Sequence, residues 1–472
     1  AHGAAGAAPV VTVRLPLAAT LLAAALLSAC GSSHHSGHTS ATTTIAASRS
    51  PSSTTSTRTA STPAPTRPPA PDGVTVLQRV LAHQMSLSGP YVGAEFQDVT
   101  TGQVLYQDHA SVPRLPASVE KLYTSVAALR LLGPGARLTT AILGTGSLRH
   151  GVWHGNLYLR GAGDPTFGAA SFNAVYEPGG TSDAGLVREL QALRIHRVTG
   201  RLIGDESIFD SLRGAPATDD QPDLVDLGGE LGGLVFDHGF TGAPPPPTRG
   251  HHAPAPPSPG AYAAAEVAMA LRSVGIDVHA SRHTGVTPDT ARVLASAQSP
   301  RLATILRMMN LPSDDFYAEM LCKLLGARFG GAGSTDAGTA VVRQVLAGYG
   351  IHPRIVDGSG LSRRDYSSPG QVVRLLRQIA STSIGSILRS TLPVPGHSGT
   401  LSFRMGGTDA SRRCEGKTGS LTGTLNLAGY CRVAGGDLVA FAILMDGPDT
   451  DDQRIAQDAM VVSLAHTDPR LY

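Results

Sequence analysis

Ser118 and Lys121 stand three residues apart at the start of a helical pattern, and this pair constrains the chain more than any other stretch. Pro116 precedes it, apolar residues recur at Leu122, Val126, Leu129 and Leu132, and Gly133 sits where a C-terminal cap belongs. Positions i and i+3 share one helix face, so the hydroxyl and the amine can meet. A helix start adds partial positive charge, which favours an alkoxide-like nucleophile at Ser118. A serine activated by a neighbouring lysine is one route to an acyl-enzyme. Alone, the same spacing also reads as an ordinary capped helix.

Lysine usage sharpens the point. The chain holds 38 Lys+Arg, yet lysine occurs only at Lys121, Lys323 and Lys417. A guanidinium stays charged, whereas an ammonium gives up its proton when desolvated or set beside another cation. Lysines that persist in so arginine-rich a chain are candidates for work arginine cannot do, and two of the three fall in catalytic-looking motifs.

At 472 residues and a net charge of +2, the chain can form two or more domains and gives no reason to expect a nucleic-acid partner. Residues 1–30 read as an export signal: Arg14 precedes a Leu/Ala run over 15–29 that is too short for a comfortable membrane span. The run ends in Leu27-Ser28-Ala29-Cys30, which resembles a bacterial lipobox with Cys30 as the lipidated residue. Ordinary signal cleavage is the alternative, for which Leu27 is poorly suited. Such an anchor would hold the protein at the outer face of the cytoplasmic membrane. Residues 31–71 carry 20 Ser/Thr and no Asp or Glu, so 31–72 is expected to be a disordered linker. His34, His35 and His38 read as linker histidines rather than metal ligands, and neither a metal nor a cofactor is expected.

From residue 73 the pattern turns globular. A short amphipathic helix is expected from Val74, then a hairpin from 91–96 and 104–106 turning at Thr101-Gly102. Short apolar runs alternating with glycines mark 138–284 as an inserted, mostly β segment between 73–137 and 285–472, with a helix over 262–274. Gly161-Ala-Gly163-Asp164-Pro165 lacks the third glycine of a dinucleotide loop. In Pro312-Ser313-Asp314-Asp315, Ser313 reads as an N-cap with two carboxylates in the first turn. Asp357-Gly-Ser-Gly-Leu-Ser-Arg363 is a glycine-rich turn, and neither it nor Gly396-His-Ser398-Gly-Thr fits a nucleophile elbow. Gly416-Lys417-Thr418-Gly419-Ser420 is not a phosphate loop, because Ser411 stands where a glycine is needed. A hairpin centred on Thr422-Gly423 would set Cys414 opposite Cys431, and in an exported protein the two should form a disulfide; reduced buried cysteines are the alternative. Cys322 is then left as a small buried residue.

Ser118-x-x-Lys121, Ser313-x-Asp315 and Lys417-Thr418-Gly419, in that order, resemble the three motifs of serine penicillin-recognising enzymes. With Gly163-Asp-Pro, Asp357-Gly-Ser-Gly-Leu-Ser-Arg and the wide gap after the first motif, residues 75–465 resemble the D-alanyl-D-alanine carboxypeptidase/endopeptidase family, class C low-molecular-mass penicillin-binding proteins. The resemblance implies an α+β fold: a β-lactamase/transpeptidase-like antiparallel sheet flanked by helices. It implies hydrolysis of peptidoglycan stem peptides ending in D-Ala-D-Ala, with β-lactams as covalent inhibitors. Ser118 would be the nucleophile, Lys121 its base, Ser313 the proton carrier and Lys417 the source of positive potential. Thr418 would bind the substrate carboxylate, with Gly419 and Asp315 in the binding site and the Ser118 and Ser420 N–H groups in the oxyanion hole. One departure is Asp315, where the family has Asn; a carboxylate only accepts hydrogen bonds, and it can pair with Lys121 or Lys417. Two other readings compete: a non-catalytic cell-wall-binding lipoprotein of the same fold, and a β-lactamase or esterase.

Overall fold

The computed structural model describes residues 73–241, 258–447 and 451–468. The signal segment, Cys30 and the Ser/Thr/Pro linker lie outside the described residues. Among the described residues no helix is long and apolar enough to cross a membrane.

The chain enters through helix α1 (Gly73–Leu87), which buries Leu77, Leu81 and Met85 at helical spacing. Strands β1 (Val92–Asp98) and β2 (Val104–Asp108) form the expected hairpin, its turn fastened by Asp98 accepting from the Thr101 N–H at 2.6 Å. A 3₁₀ turn, Ala117–Glu120, then leads into α2 (Lys121–Leu131).

A second sheet follows, built from β3 (Thr139–Gly144), β4 (Ser147–Arg149), β5 (Val152–His154), β6 (Leu157–Arg160), β7 (Arg197–Asp205), β8 (Asp277–Ala280) and β9 (Arg292–Gln298). Its order is β4-β5-β7-β6-β3-β9, with β8 beside β7. Strands β5, β6 and β8 run parallel to β7, so the chain between them must cross over, and helices supply the crossings. The stretch is therefore less purely β than its glycine-punctuated runs imply. It includes α3 (Ala170–Val175), α4 (Asp183–Ala192) and α5 (Pro259–Ser273), whose Leu186, Leu190, Val267 and Leu271 pack on Trp153, Leu157 and Leu202.

The remainder supplies helices α6 (Leu302–Asn310), α7 (Asp315–Leu325), α8 (Thr335–Ala347), α9 (Pro369–Ile379), α10 (Ser383–Thr391) and α11 (Ala410–Arg413). Strands β10 (Cys414–Leu421), β11 (Thr424–Arg432) and β12 (Leu438–Asp446) and helix α12 (Asp451–His466) complete the chain. The central antiparallel sheet has the order β10-β11-β12-β1-β2. Side chains on a strand alternate between faces, and β12 uses both. Val439, Phe441, Ile443 and Met445 join the core shared with α1 and α12. Ala440, Ala442 and Leu444 face the larger core built from α2, α6, α7, α8 and α9. The small alanines on that side let the helices lie close to the sheet. Hairpin register along β10–β11 runs from Cys414 opposite Cys431 to Leu421 opposite Thr424, and the two cysteines are bonded. Cys322 is free and buried on α7.

Candidate active site

Ser118 does not open an α-helix; it lies in the 3₁₀ turn ahead of α2. In that tighter winding residues i and i+3 eclipse, which aims Lys121 back along the axis at Ser118. The Lys121 Nζ donates to Ser118 Oγ at 2.9 Å and to the Ser359 carbonyl at 2.8 Å, and it is ion-paired with Asp315. Lys121 is fully buried while Ser118 keeps part of its surface open. The turn is held under strain: Ala117, just before the nucleophile, has φ 44°. It is pressed by the glycine-rich loop, where a Cβ on Gly360 would lie 2.0 Å from the Ala117 carbonyl oxygen. That loop is a backbone clamp. Asp357 accepts from the N–H groups of Gly360 and Ser362, Glu319 accepts from those of Gly358 and Ser359, and the Gly358 carbonyl accepts from Thr124.

The second motif differs from its expected local role. Asp314, not Ser313, is the N-cap of α7, accepting from the Tyr317 N–H at 2.9 Å. Ser313 stands outside the helix at φ 70°, in the left-handed region, so its hydroxyl is free for tertiary contact. It accepts a 2.7 Å hydrogen bond from Lys417 Nζ. Asp315 begins α7 and meets Lys121 rather than Lys417.

Lys417 is fully buried on β10. Burial, with Lys121 as a neighbouring like charge, pushes its pKa well below 10.5, against the opposing pull of Asp315. Thr418 Oγ1 lies 2.7 Å from Thr400 Oγ1. Gly419 must be a glycine for room: a Cβ there would sit 2.7 Å from the Pro116 carbonyl and 3.1 Å from the Ser118 nitrogen. Ser420 is exposed at the end of this edge strand.

All eight residues assigned to catalysis and binding from the sequence thus lie in three neighbouring stretches, 118–121, 313–315 and strand β10. Several neighbours were not read from the sequence. Asn426 Nδ2 donates to the carbonyls of Leu115 and Pro116, each at 2.8 Å, and its Oδ1 accepts from the Met445 N–H. It ties the nucleophile turn to β11, and its one sequence signal is an amide inside an otherwise apolar run. Thr400 and Ser359 carry no such signal. Lys323, the third lysine, is structural: it joins α7 to Asp210 at 2.6 Å and to the Leu212 carbonyl at 3.0 Å.

Beside the second motif, His238 connects the 138–284 segment to the site. Its Nδ1 lies 2.7 Å from Glu177, and its Nε2 lies 3.5 Å from Asp314. Burial disfavours the imidazolium, but the Glu177 hydrogen bond and the charges of Asp314 and Glu177 outweigh it, raising the pKa above 6.5. Asp314 is pushed up by its own burial, so the shorter Glu177 contact carries more of this effect.

A serine beside a buried lysine, a second serine beside a second lysine and a glycine-bearing strand edge define the class: a serine acyl-transfer enzyme on a β-lactamase/transpeptidase-like fold. Penicillin-binding protein 4 (dacB) from Haemophilus influenzae has this fold, superimposing with a TM-score of 0.67 at 23% identity over 81% of this chain and 98% of that one. The D-Ala-D-Ala carboxypeptidase 3 (S13) family model matches residues 75–224 and 247–467, and the chain belongs to that family. It is 30% identical to the D-alanyl-D-alanine carboxypeptidase of Actinomadura sp. strain R39, over 80% of this chain and 82% of that protein. Carboxypeptidase DacB of Mycolicibacterium smegmatis is 31% identical, over 86% and 90%. The chain is a serine-type D-Ala-D-Ala carboxypeptidase; the non-catalytic and β-lactamase readings are not favoured.

Proposed function

We propose that Ser118 is the nucleophile that removes the terminal D-Ala from peptidoglycan stem peptides. The observation that carries this reading is the 2.9 Å Lys121–Ser118 contact at the end of a buried lysine. Ser118 Oγ attacks the carbonyl carbon of the penultimate D-Ala, and its proton passes to Lys121. Loss of a general base of this kind costs about 10²–10⁴-fold. The C–N bond then breaks, and the leaving amine takes a proton through Ser313, which Lys417 holds at 2.7 Å. Lys417 and Thr418 receive the terminal carboxylate, whose negative charge favours the ammonium form that burial disfavours. The N–H groups of Ser118 and Ser420 stabilise the oxyanion, where one lost donor costs about 2.7–4 kcal/mol. Water then attacks the acyl-enzyme and releases the shortened peptide. D-Ala cross-links are substrates of the same chemistry.

The catalytic part comprises 73–137 and the chain after the insertion. Strand β9 pairs with β3, which favours closing the inserted unit after Gln298 rather than at 284. Export fits the Cys414–Cys431 disulfide, and Cys30 is the proposed lipid attachment at the outer face of the cytoplasmic membrane. The test is release of D-Ala from a D-Ala-D-Ala peptide by the purified chain. Turnover abolished in Ser118→Ala supports the assignment; turnover retained in that variant overturns it.

A further inference from the structure

Behind the nucleophile turn, on the side of Glu120 rather than of Ser118, three carboxylates from two distant segments converge. Oxygens of Glu120, Asp357 and Asp365 all lie within 4.8 Å of one another, and each of the three residues is buried with 0% exposure. An assembly of this kind is costly unless something neutralises it, since each carboxylate buried in a low-dielectric interior gives up its hydration.

The protein's own groups do this only in part. Asp357 accepts from two backbone N–H groups and Asp365 Oδ1 from that of Val356. Glu120, in contrast, meets no donor at either oxygen, while Asp365 meets only the Asp357 carboxyl besides the Val356 N–H. The nearest buried amine, Lys121, is engaged by Ser118, Ser359 and Asp315 instead. A fourth acid, Glu319, lies beside the group, with its Oε2 unpartnered. One oxygen of the unpartnered Glu120 carboxylate therefore lies within this group. A gap of up to 4.8 Å matches the span across a shell whose oxygen ligands each lie about 2.3–2.6 Å from a central ion.

We propose that Glu120, Asp357 and Asp365 form a structural site for a hard divalent cation, calcium or magnesium. The all-oxygen, carboxylate-only donor set selects hard ions over zinc or copper. Its position gives it a job. Asp357 and Asp365 sit on the glycine-rich loop whose Ser359 carbonyl receives Lys121, and Glu120 sits between Ser118 and Lys121 in sequence. A cation joining them pins the loop to the nucleophile turn and fixes where the lysine amine points.

The experiment is made on the purified full chain. Elemental analysis follows dialysis in metal-free buffer, and melting is recorded after EDTA treatment as CaCl2 or MgCl2 is added. The expected result is close to one equivalent of calcium or magnesium per chain, and a saturable rise in melting temperature on the order of 3 °C. Glu120→Gln and Asp365→Asn each remove the rise. If neither variant folds, the wild-type measurements alone decide. No retained ion together with no saturable shift from either salt overturns the proposal and leaves a cluster neutralised by shared protons. A shift of full size in both variants overturns it equally, since the ion would then be bound elsewhere.

Discussion

Asp315 is the residue at which the second motif departs from the pattern its resemblance implied, and the structure gives that departure a partner. Its carboxylate pairs with Lys121, the amine that must accept the serine proton, and so competes with Ser118 for it. Replacing Asp315 with Asn removes that charge. Acylation by a β-lactam is expected to accelerate about tenfold, the equivalent of about 1.4 kcal/mol. Stopped-flow acylation of both proteins checks this, and an unchanged or slower rate would show that the carboxylate does not restrain the lysine. Asn426 makes the opposite prediction. Asn426→Ala strands the Leu115 and Pro116 carbonyls and the Met445 N–H in a buried site, so chemical unfolding should show a loss of about 3 kcal/mol. Acylation should slow with it, because the stranded carbonyls belong to the nucleophile turn. The three motifs were legible because their chemistry is written in residue type and short spacing. Asn426, Thr400 and Glu120 were not, because each acquires meaning only from partners that the fold brings in from elsewhere.

Among the elements, the β10–β11 hairpin was the most readable. Its turn residues and alternation set a register that put Cys414 against Cys431, as observed. A crosslink enclosing a loop of this size restrains the unfolded chain, and the Cys414→Ser, Cys431→Ser double variant should lose about 3 kcal/mol in denaturant titrations. Retained stability would mean that sheet pairing alone holds the hairpin. The winding at Ser118 was less readable. Sequence periodicity points to an α-helix, but the contact between Gly360 and Ala117 and the left-handed Ala117 tighten the first turn to 3₁₀. The same limit applied to Ser313, whose capping role went to Asp314 once its hydroxyl was engaged by Lys417. Local propensity chose the elements, and tertiary contacts chose their ends.

Across the whole molecule, the second sheet that follows the first motif was visible as a change of rhythm, while its parallel pairing and the reach of its segment to the site were not. His238 is the link. Its pKa is raised above 6.5 in the folded protein, so its contribution to stability is fully present below 6.5 and is lost as pH rises through the folded value. Melting curves across about pH 6–9 should show the wild type losing stability relative to His238→Gln as pH increases. Parallel curves would show that the Glu177 and Asp314 contacts carry no proton linkage. The central claim, that the three motifs form one acylating site, is tested most directly by intact mass spectrometry after incubation with penicillin, followed by peptide mapping. The expected result is a single penicilloyl adduct on Ser118 that is absent from Ser118→Ala. Folded protein with its disulfide intact that forms no adduct, or carries it on Ser313 or Ser359, would contradict the account.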